Sequence, residues 1–355
     1  MKSLLTKPES NLKRLALDGA AGCPYRSSIV DSLTARSART RAWLLLPVLL
    51  LLTACSVPGG SSPAPSGPAG VPSDRASYPG GSILTTVDWV ATHLSDPSLR
   101  LIDVGSLADF NAGHIPGAVH VWWQDTIEVN NDVYGMLAGA DVRAKIIRDS
   151  GITATSTVVV YDASGGRYAA RVLWMLNAIG FDRVTLLNGG RQAWLAGGHS
   201  LTQHTTPPPP GGLVQTLEYG ALISNSELRQ HLTDGTLSIV DNRTLAEQAQ
   251  TWFGRLRIGR IPGAVDVPWT AVVQPGSIPY YDDPGALARA FAAARLDPSH
   301  TVAVYGLDGV DAAQTYVALK LLGYRSVRVF DGSWAQWGAD AAYPATPLAS
   351  NRPPA

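Results

Sequence analysis

Short β-branched runs alternate with longer apolar stretches from about Tyr78 onward. Thr157 to Tyr161 and Val184 to Leu187 are brief, β-branched and bounded by polar or glycine positions, which predicts buried strands. Between them, Tyr168 to Ile179 is apolar on nearly every side, through Ala169, Ala170, Val172, Leu173, Trp174 and Leu176, and it stops at Gly180. That pattern predicts a buried helix with a glycine C-terminal stop. Ala312 to Leu322, ending at Gly323, predicts a second helix of the same kind. Strands alternating with helices predict an α/β fold, in which a parallel sheet carries helices on both faces.

The same order of features occurs twice. Leu101-Ile102-Asp103-Val104 leads to His114-Ile115-Pro116-Gly117-Ala118, then to Val158-Val159-Val160-Tyr161, then to Leu187-Asn188-Gly189-Gly190 and Trp194. Ser238-Ile239-Val240-Asp241 leads to Arg260-Ile261-Pro262-Gly263-Ala264, then to Val302-Ala303-Val304-Tyr305, then to Phe330-Asp331-Gly332-Ser333 and Trp337. The offset is about 138 to 146 residues, enough for each copy to be a domain. The chain is thus expected to hold two tandem domains, 78–203 and 218–346, joined by a linker over 204–217 that contains Pro207-Pro208-Pro209-Pro210. A short disordered tail is expected over 347–355.

The N-terminal segment has a different character. Arg36, Arg39 and Arg41 precede an apolar stretch from Trp43 to Ala54, which suits an export signal and is too short to span a bilayer. It ends in Leu52-Thr53-Ala54-Cys55, which looks like a bacterial lipobox with Cys55 as the lipidated residue. Residues 1–54 are therefore expected to be an export region, and 55–77, rich in Pro, Gly and Ser, a flexible tether to the outer face of a bacterial membrane. The whole chain of 355 residues has 28 basic and 28 acidic residues. Cleavage before Cys55 removes eight basic and three acidic residues, leaving a mildly acidic protein, which argues against nucleic acid as a partner. The two cysteines, Cys23 and Cys55, both precede the globular part, so no thiol remains there for a disulfide, a redox pair or a metal cluster.

The repeated motifs resemble the tandem rhodanese family, the thiosulfate and 3-mercaptopyruvate sulfurtransferases, from about Tyr78 to Tyr343. The resemblance implies two rhodanese-like domains and persulfide chemistry on a cysteine directly after a strand of the second domain, its thiolate stabilised by backbone N–H groups and a helix N-terminus. Here Thr301 to Tyr305 is followed by Gly306. A mercaptopyruvate-type loop reads Cys-Gly-Ser-Gly-Val-Thr, and this one reads Gly306-Leu307-Asp308-Gly309-Val310-Asp311, matching without a gap. Glycine offers no nucleophile. Two carboxylates in that loop also oppose an anionic donor, by roughly 1 kcal/mol per pair near 4 Å in water and about 4 at an effective dielectric of 20.

The resemblance also assigns Arg171 to the inter-domain substrate and Arg243, in Asp241-Asn242-Arg243, to the frame of the loop; both are kept as substrate-binding candidates. Each has a structural alternative: Arg171 pairing with an acid of the second copy, and Arg243 holding the loop region together. Asp308 and Asp311 are read first as caps of the following helix, with a site for a cation or amine as the alternative. His114 is read as a ring fixed by backbone hydrogen bonds. The leading expectation is an exported, lipid-anchored monomer that binds a small anion or a protein without cofactor or metal. The alternative is an active sulfurtransferase that uses an exogenous thiol or an inter-domain site.

Overall fold

The computed structural model describes residues 78–217, 220–252 and 254–348. The expected export region, the tether with Cys55 and residues 349–355 of the tail lie outside the described residues. The first repeat opens with β1 (Leu84–Thr85), α1 (Val87–His93), β2 (Leu99–Asp103), α2 (Leu107–Ala112) and β3 (Ala118–His120). A hairpin of β4 (Ile127–Asn130) and β5 (Val133–Leu137) follows, then α3 (Ala140–Asp149), β6 (Thr157–Tyr161), α4 (Arg167–Ala178), β7 (Val184–Leu187) and α5 (Gly190–Ala196). Its main sheet is parallel throughout, in the order β1-β7-β6-β2-β3.

The second repeat comprises α6 (Asn225–Gln230), β8 (Leu237–Asp241), α7 (Leu245–Gln248), β9 (Val265–Asp266) and α8 (Pro284–Ala292), then β10 (Thr301–Tyr305), α9 (Gly309–Leu321), β11 (Val327–Val329) and α10 (Ser333–Trp337). Its four parallel strands run β11-β10-β8-β9. A counterpart of β1 is reduced to a single bridge between Leu222 and Val329. The duplication extends to register: Asp103 lies opposite Tyr161 on β2 and β6, and Asp241 lies opposite Tyr305 on β8 and β10. Each tyrosine hydroxyl accepts the N–H of the isoleucine in the Ile-Pro-Gly turn, Ile115 or Ile261, at 3.0 Å. The next residues, Asp162 and Gly306, therefore leave their sheets at equivalent points.

Strands β6 and β7 have the expected bounds, and α4 is shifted by one residue at each end. Helix α9 differs more, starting at Gly309 instead of Ala312, because the Asp308 carboxylate accepts the Val310 N–H at 3.0 Å and caps an additional turn. The expected loop Gly306–Asp311 is therefore half helix.

The helices α4 and α9 pack against each other between the two sheets. Residues of both, including Trp174, Leu173, Val317 and Leu319, belong to one apolar cluster with Val160 of β6 and Val304 of β10. Smaller clusters cover the outer face of each sheet, around Trp194 in the first repeat and around Trp334 and Trp337 in the second. Trp174 Nε1 also donates to the Ala221 carbonyl at 2.8 Å, tying the first repeat's helix to the start of the second. Among the described residues no helix is long and apolar enough to cross a membrane. Because the central core is shared, Leu173→Ala, which truncates a fully buried side chain, is expected to cost about 2–5 kcal/mol. Hydrogen exchange should show β6 and β10 losing protection together; loss in β6 alone would mean that the repeats unfold independently.

Candidate functional site

The loops after β6 and β10 stand at equivalent places, and their residues build different structures. After β6, Gly165 and Gly166 adopt φ of 72° and 79°, which curls the backbone so that its N–H groups converge. The Asp162 carboxylate fills that curl: Oδ1 accepts from Ser164 and Gly166 N–H at 2.9 Å, and Oδ2 from Tyr168 and Ala169 N–H at 2.9 and 3.1 Å. It is an anion site at the N-terminus of α4, occupied by the chain's own aspartate.

After β10 no residue from Gly306 to Asp311 has a positive φ, so the curl does not form. The Asp308 cap on α9 takes its place. Gly306 is buried, its N–H donating to Ser333 Oγ at 3.1 Å and its carbonyl accepting from Trp334 N–H at 3.0 Å. The Leu307 carbonyl accepts from Ala335 N–H at 2.9 Å, and Val310 is buried behind it. A Cβ on Gly306 would stand 2.4 Å from Asn242 Oδ1 and 3.2 Å from the Asp308 carbonyl oxygen. Asn242 is fully buried and held by Nδ2, which donates to the Asp311 carbonyl at 2.6 Å and to Thr315 Oγ1 at 3.2 Å. Its Oδ1 has no hydrogen-bond partner among the described residues. Asn242 therefore occupies the space that a side chain at 306 requires.

Charges from the first repeat meet the loop from the other side. Arg167 Nε binds Asp311 Oδ1 at 2.5 Å, with the guanidinium 4.8 Å from the Trp269 ring centre. Arg171 Nη1 binds Asp331 Oδ1 at 2.6 Å, its Nη2 donates to the Gly135 carbonyl at 3.1 Å, and the group lies 4.5 Å from the Trp174 ring centre. Arg171 is completely buried, with Nη1 held by an acid of the second repeat and Nη2 by a carbonyl of its own hairpin. Gly309 allows this approach, since a Cβ there would come 2.1 Å from Asp331 Oδ1 and 2.8 Å from Arg171 Nη1. The hairpin forms the roof: Leu137 N–H donates to Asp331 Oδ2 at 2.5 Å, and Gly135 rests on Asp308, with 2.7 Å between an added Cβ and Asp308 Cβ.

Burial raises the Asp308 carboxyl to about 7, and the charge of Asp311 adds to the effect. Burial raises Asp311 as well, against the opposing pull of Arg167. The two acids named from the sequence are thus committed to a helix cap and an ion pair, and neither is free to receive a cation. Arg243 does not join this cluster. It pairs with Asp241 through Nε at 3.0 Å and Nη2 at 2.6 Å, donates to the Gly259 carbonyl at 2.8 Å and lies 4.5 Å from the Trp334 ring centre. His114 is held between the Phe110 and His204 carbonyls at 3.0 and 3.3 Å and stacks on the Phe110 ring.

The family description "Rhodanese-like domain" matches residues 86–197 and 224–340. The chain belongs to the rhodanese family. The thiosulfate sulfurtransferase of Corynebacterium glutamicum is 32% identical to this rhodanese over 270 residues, spanning 72% of this chain and 87% of that one. The sulfur carrier protein TtuD of Thermus thermophilus is 30% identical over 275 residues, spanning 74% and 95%. The crystal structure of SseA from Escherichia coli, a 3-mercaptopyruvate sulfotransferase by its description, superimposes with a TM-score of 0.64 at 26% identity, covering 71% of this chain and 98% of SseA.

Three residues that shape the site were given no role of their own from the sequence: Asn242 and Asp331, which stand there only within motifs, and Arg167. Asn242 left a trace there, because the matching position of the first repeat is Val104, equally buried and apolar. A buried amide in place of valine marks a local contact that the repeat alone does not explain. Arg167 and Asp331 left none, since their partners lie 144 and 160 residues away.

Two outcomes are expected. Gly306→Cys should lower stability in urea by roughly 1–3 kcal/mol through overpacking. Adding Asn242→Ala should recover part of that loss, so that the double variant is more stable than the sum of the singles; strict additivity would mean that the two residues do not share the space. The Asp308 carboxyl is raised in the folded chain from 3.8 to about 7, so its contribution is fully present below about pH 4 and is lost as pH rises through about 7. Asp308→Asn keeps a cap without the charge, so its thermal midpoint should gain on the natural chain between about pH 4 and about pH 7, at roughly 2–4 °C per kcal/mol. A constant difference across that range would contradict the assignment.

Proposed function

We propose that this rhodanese-family chain lacks persulfide chemistry and serves as an exported binding or scaffolding module, held at a bacterial membrane by lipid on Cys55. The observation that carries the reading is the absence of any cysteine after Cys55, with Gly306 at the strand exit where the family resemblance calls for the nucleophile. Sulfur transfer through an enzyme persulfide forms an S–S bond on a thiolate, and glycine supplies no sulfur to bond. The loop and the Asn242 side chain support the same reading, since the left-handed glycines that curl the first repeat's loop have no counterpart from Gly306 to Asp311 and Asn242 Oδ1 stands 2.4 Å from where a Cβ on Gly306 would lie.

A second reading is an active thiosulfate or 3-mercaptopyruvate sulfurtransferase that employs an exogenous thiol, with Arg171 orienting the substrate. Similarity over 87–96% of relatives bearing those names, and over 72–74% of this chain, favours it. Thiocyanate release from cyanide, with thiosulfate or 3-mercaptopyruvate as donor, separates the two. The natural chain is expected to give none above the protein-free rate, with or without added thiol. Thiol-dependent turnover that disappears in Arg171→Ala would establish the second reading instead. For the anchor, Cys55→Ser is expected to move the protein from the membrane fraction to the soluble one; an unchanged distribution would remove the lipid from the account.

A further inference from the structure

Next to the loop, beside Asp331, residues of both repeats line a half-open cavity of about 290 Å³. Met136 and Leu137 of β5 form one wall, and Leu222, Ile223 and Phe330 of the second repeat form the other. Arg143 of α3 reaches into it from the first repeat, and Ser224, Asn225 and Gln336 supply neutral polar groups opposite. The volume is at the small end of ligand-binding cavities, and apolar walls with a few placed polar groups are their usual composition.

Arg143 is the informative residue. Only 7% of it is exposed, yet among the described residues it forms no ion pair. Nη1 donates to the Ala138 carbonyl at 2.5 Å and Nε to Gln215 Oε1 at 3.1 Å, which fixes the plane of the guanidinium. Nη2 has no hydrogen-bond partner among the described residues. The one acid in the lining, Asp331, is already neutralised by Arg171. A buried cation that lines the cavity, held rigid by neutral acceptors and with one nitrogen left over, has no anion in hydrogen-bond contact among the described residues.

We propose that this cavity binds a small amphipathic monocarboxylate, its carboxylate on Arg143 Nη2 and its apolar body against Leu137, Leu222, Ile223 and Phe330. A guanidinium edge suits a carboxylate, and the walls suit a short alkyl or aryl group. Glu128, whose carboxylate accepts the Gly139 N–H at 2.9 Å and acts electrostatically on Arg143, offsets part of the cation's charge. One negative charge on the ligand is therefore favoured over two. The proposal rests on the reading of this chain as a binding module and gives that reading a ligand class and a site apart from the Gly306 loop.

The test is calorimetric titration of the full chain with sodium hexanoate and, separately, with hexanamide, its uncharged counterpart. Saturable heat with hexanoate is expected, with hexanamide at least ten-fold weaker. Arg143→Gln and Leu222→Trp, the second filling the cavity while keeping the arginine, should each weaken hexanoate at least ten-fold. The Leu222→Trp and hexanamide comparisons decide the matter if Arg143→Gln does not fold. No saturable hexanoate binding, equal affinity for hexanamide, or unchanged affinity in Leu222→Trp overturns the proposal. Thiocyanate release, which tests the module reading itself, is measured on the same preparation, so the two failures are distinguishable.

Discussion

Two guanidinium groups cross from the first repeat to the second, and their need for counter-charges organises the whole region after β10. Arg171 is completely buried beneath the α4–α9 contact, and breaking such a pair by removing one partner typically costs about 3–5 kcal/mol. Asp331 must therefore remain beside it, the backbone at Gly309 must come close without a side chain, and β5 is drawn over the loop by the Leu137 N–H on the same aspartate. Arg167 imposes a parallel condition on Asp311. With both acids engaged, the loop is an element of the interface between the repeats.

The comparison between the repeats gives this a local cause. Both loops leave a parallel strand and enter a buried helix, and both use an aspartate to satisfy helix N–H groups. In the first repeat Asp162 does so from the strand exit, with two left-handed glycines wrapping the backbone around its carboxylate. In the second, Asp308 does so from two residues further on, which straightens the backbone and lengthens α9. Asn242 then closes the gap beside Gly306. The glycine, the displaced cap and the buried amide are mutually consistent, as expected of a region settled into a structural role.

Much of the architecture was legible in the chain. The duplicated order of motifs located both sheets, and the β-branched runs at Thr157 and Val184 gave strand bounds that the structure reproduces, because buried parallel strands carry a strong local pattern. The start of α9 was not legible from apolar periodicity, since capping by Asp308, one of the two roles the sequence offered for it, is a polar, short-range interaction. Arg171 and Arg243 came from resemblance alone, and their partners separate them: one bridges the repeats beside the loop, the other braces Asp241 and Trp334 away from it. Arg143 carried no motif at all. Its significance arises from what does not surround it, and only the folded chain makes that visible.

The central claim is that sulfur has nowhere to reside on this fold. It is tested most directly by incubating the Cys23→Ser/Cys55→Ser chain with [35S]thiosulfate, removing free donor, and counting protein-bound label before and after cyanide. The account predicts no cyanide-releasable label. A stoichiometric amount released by cyanide would contradict it.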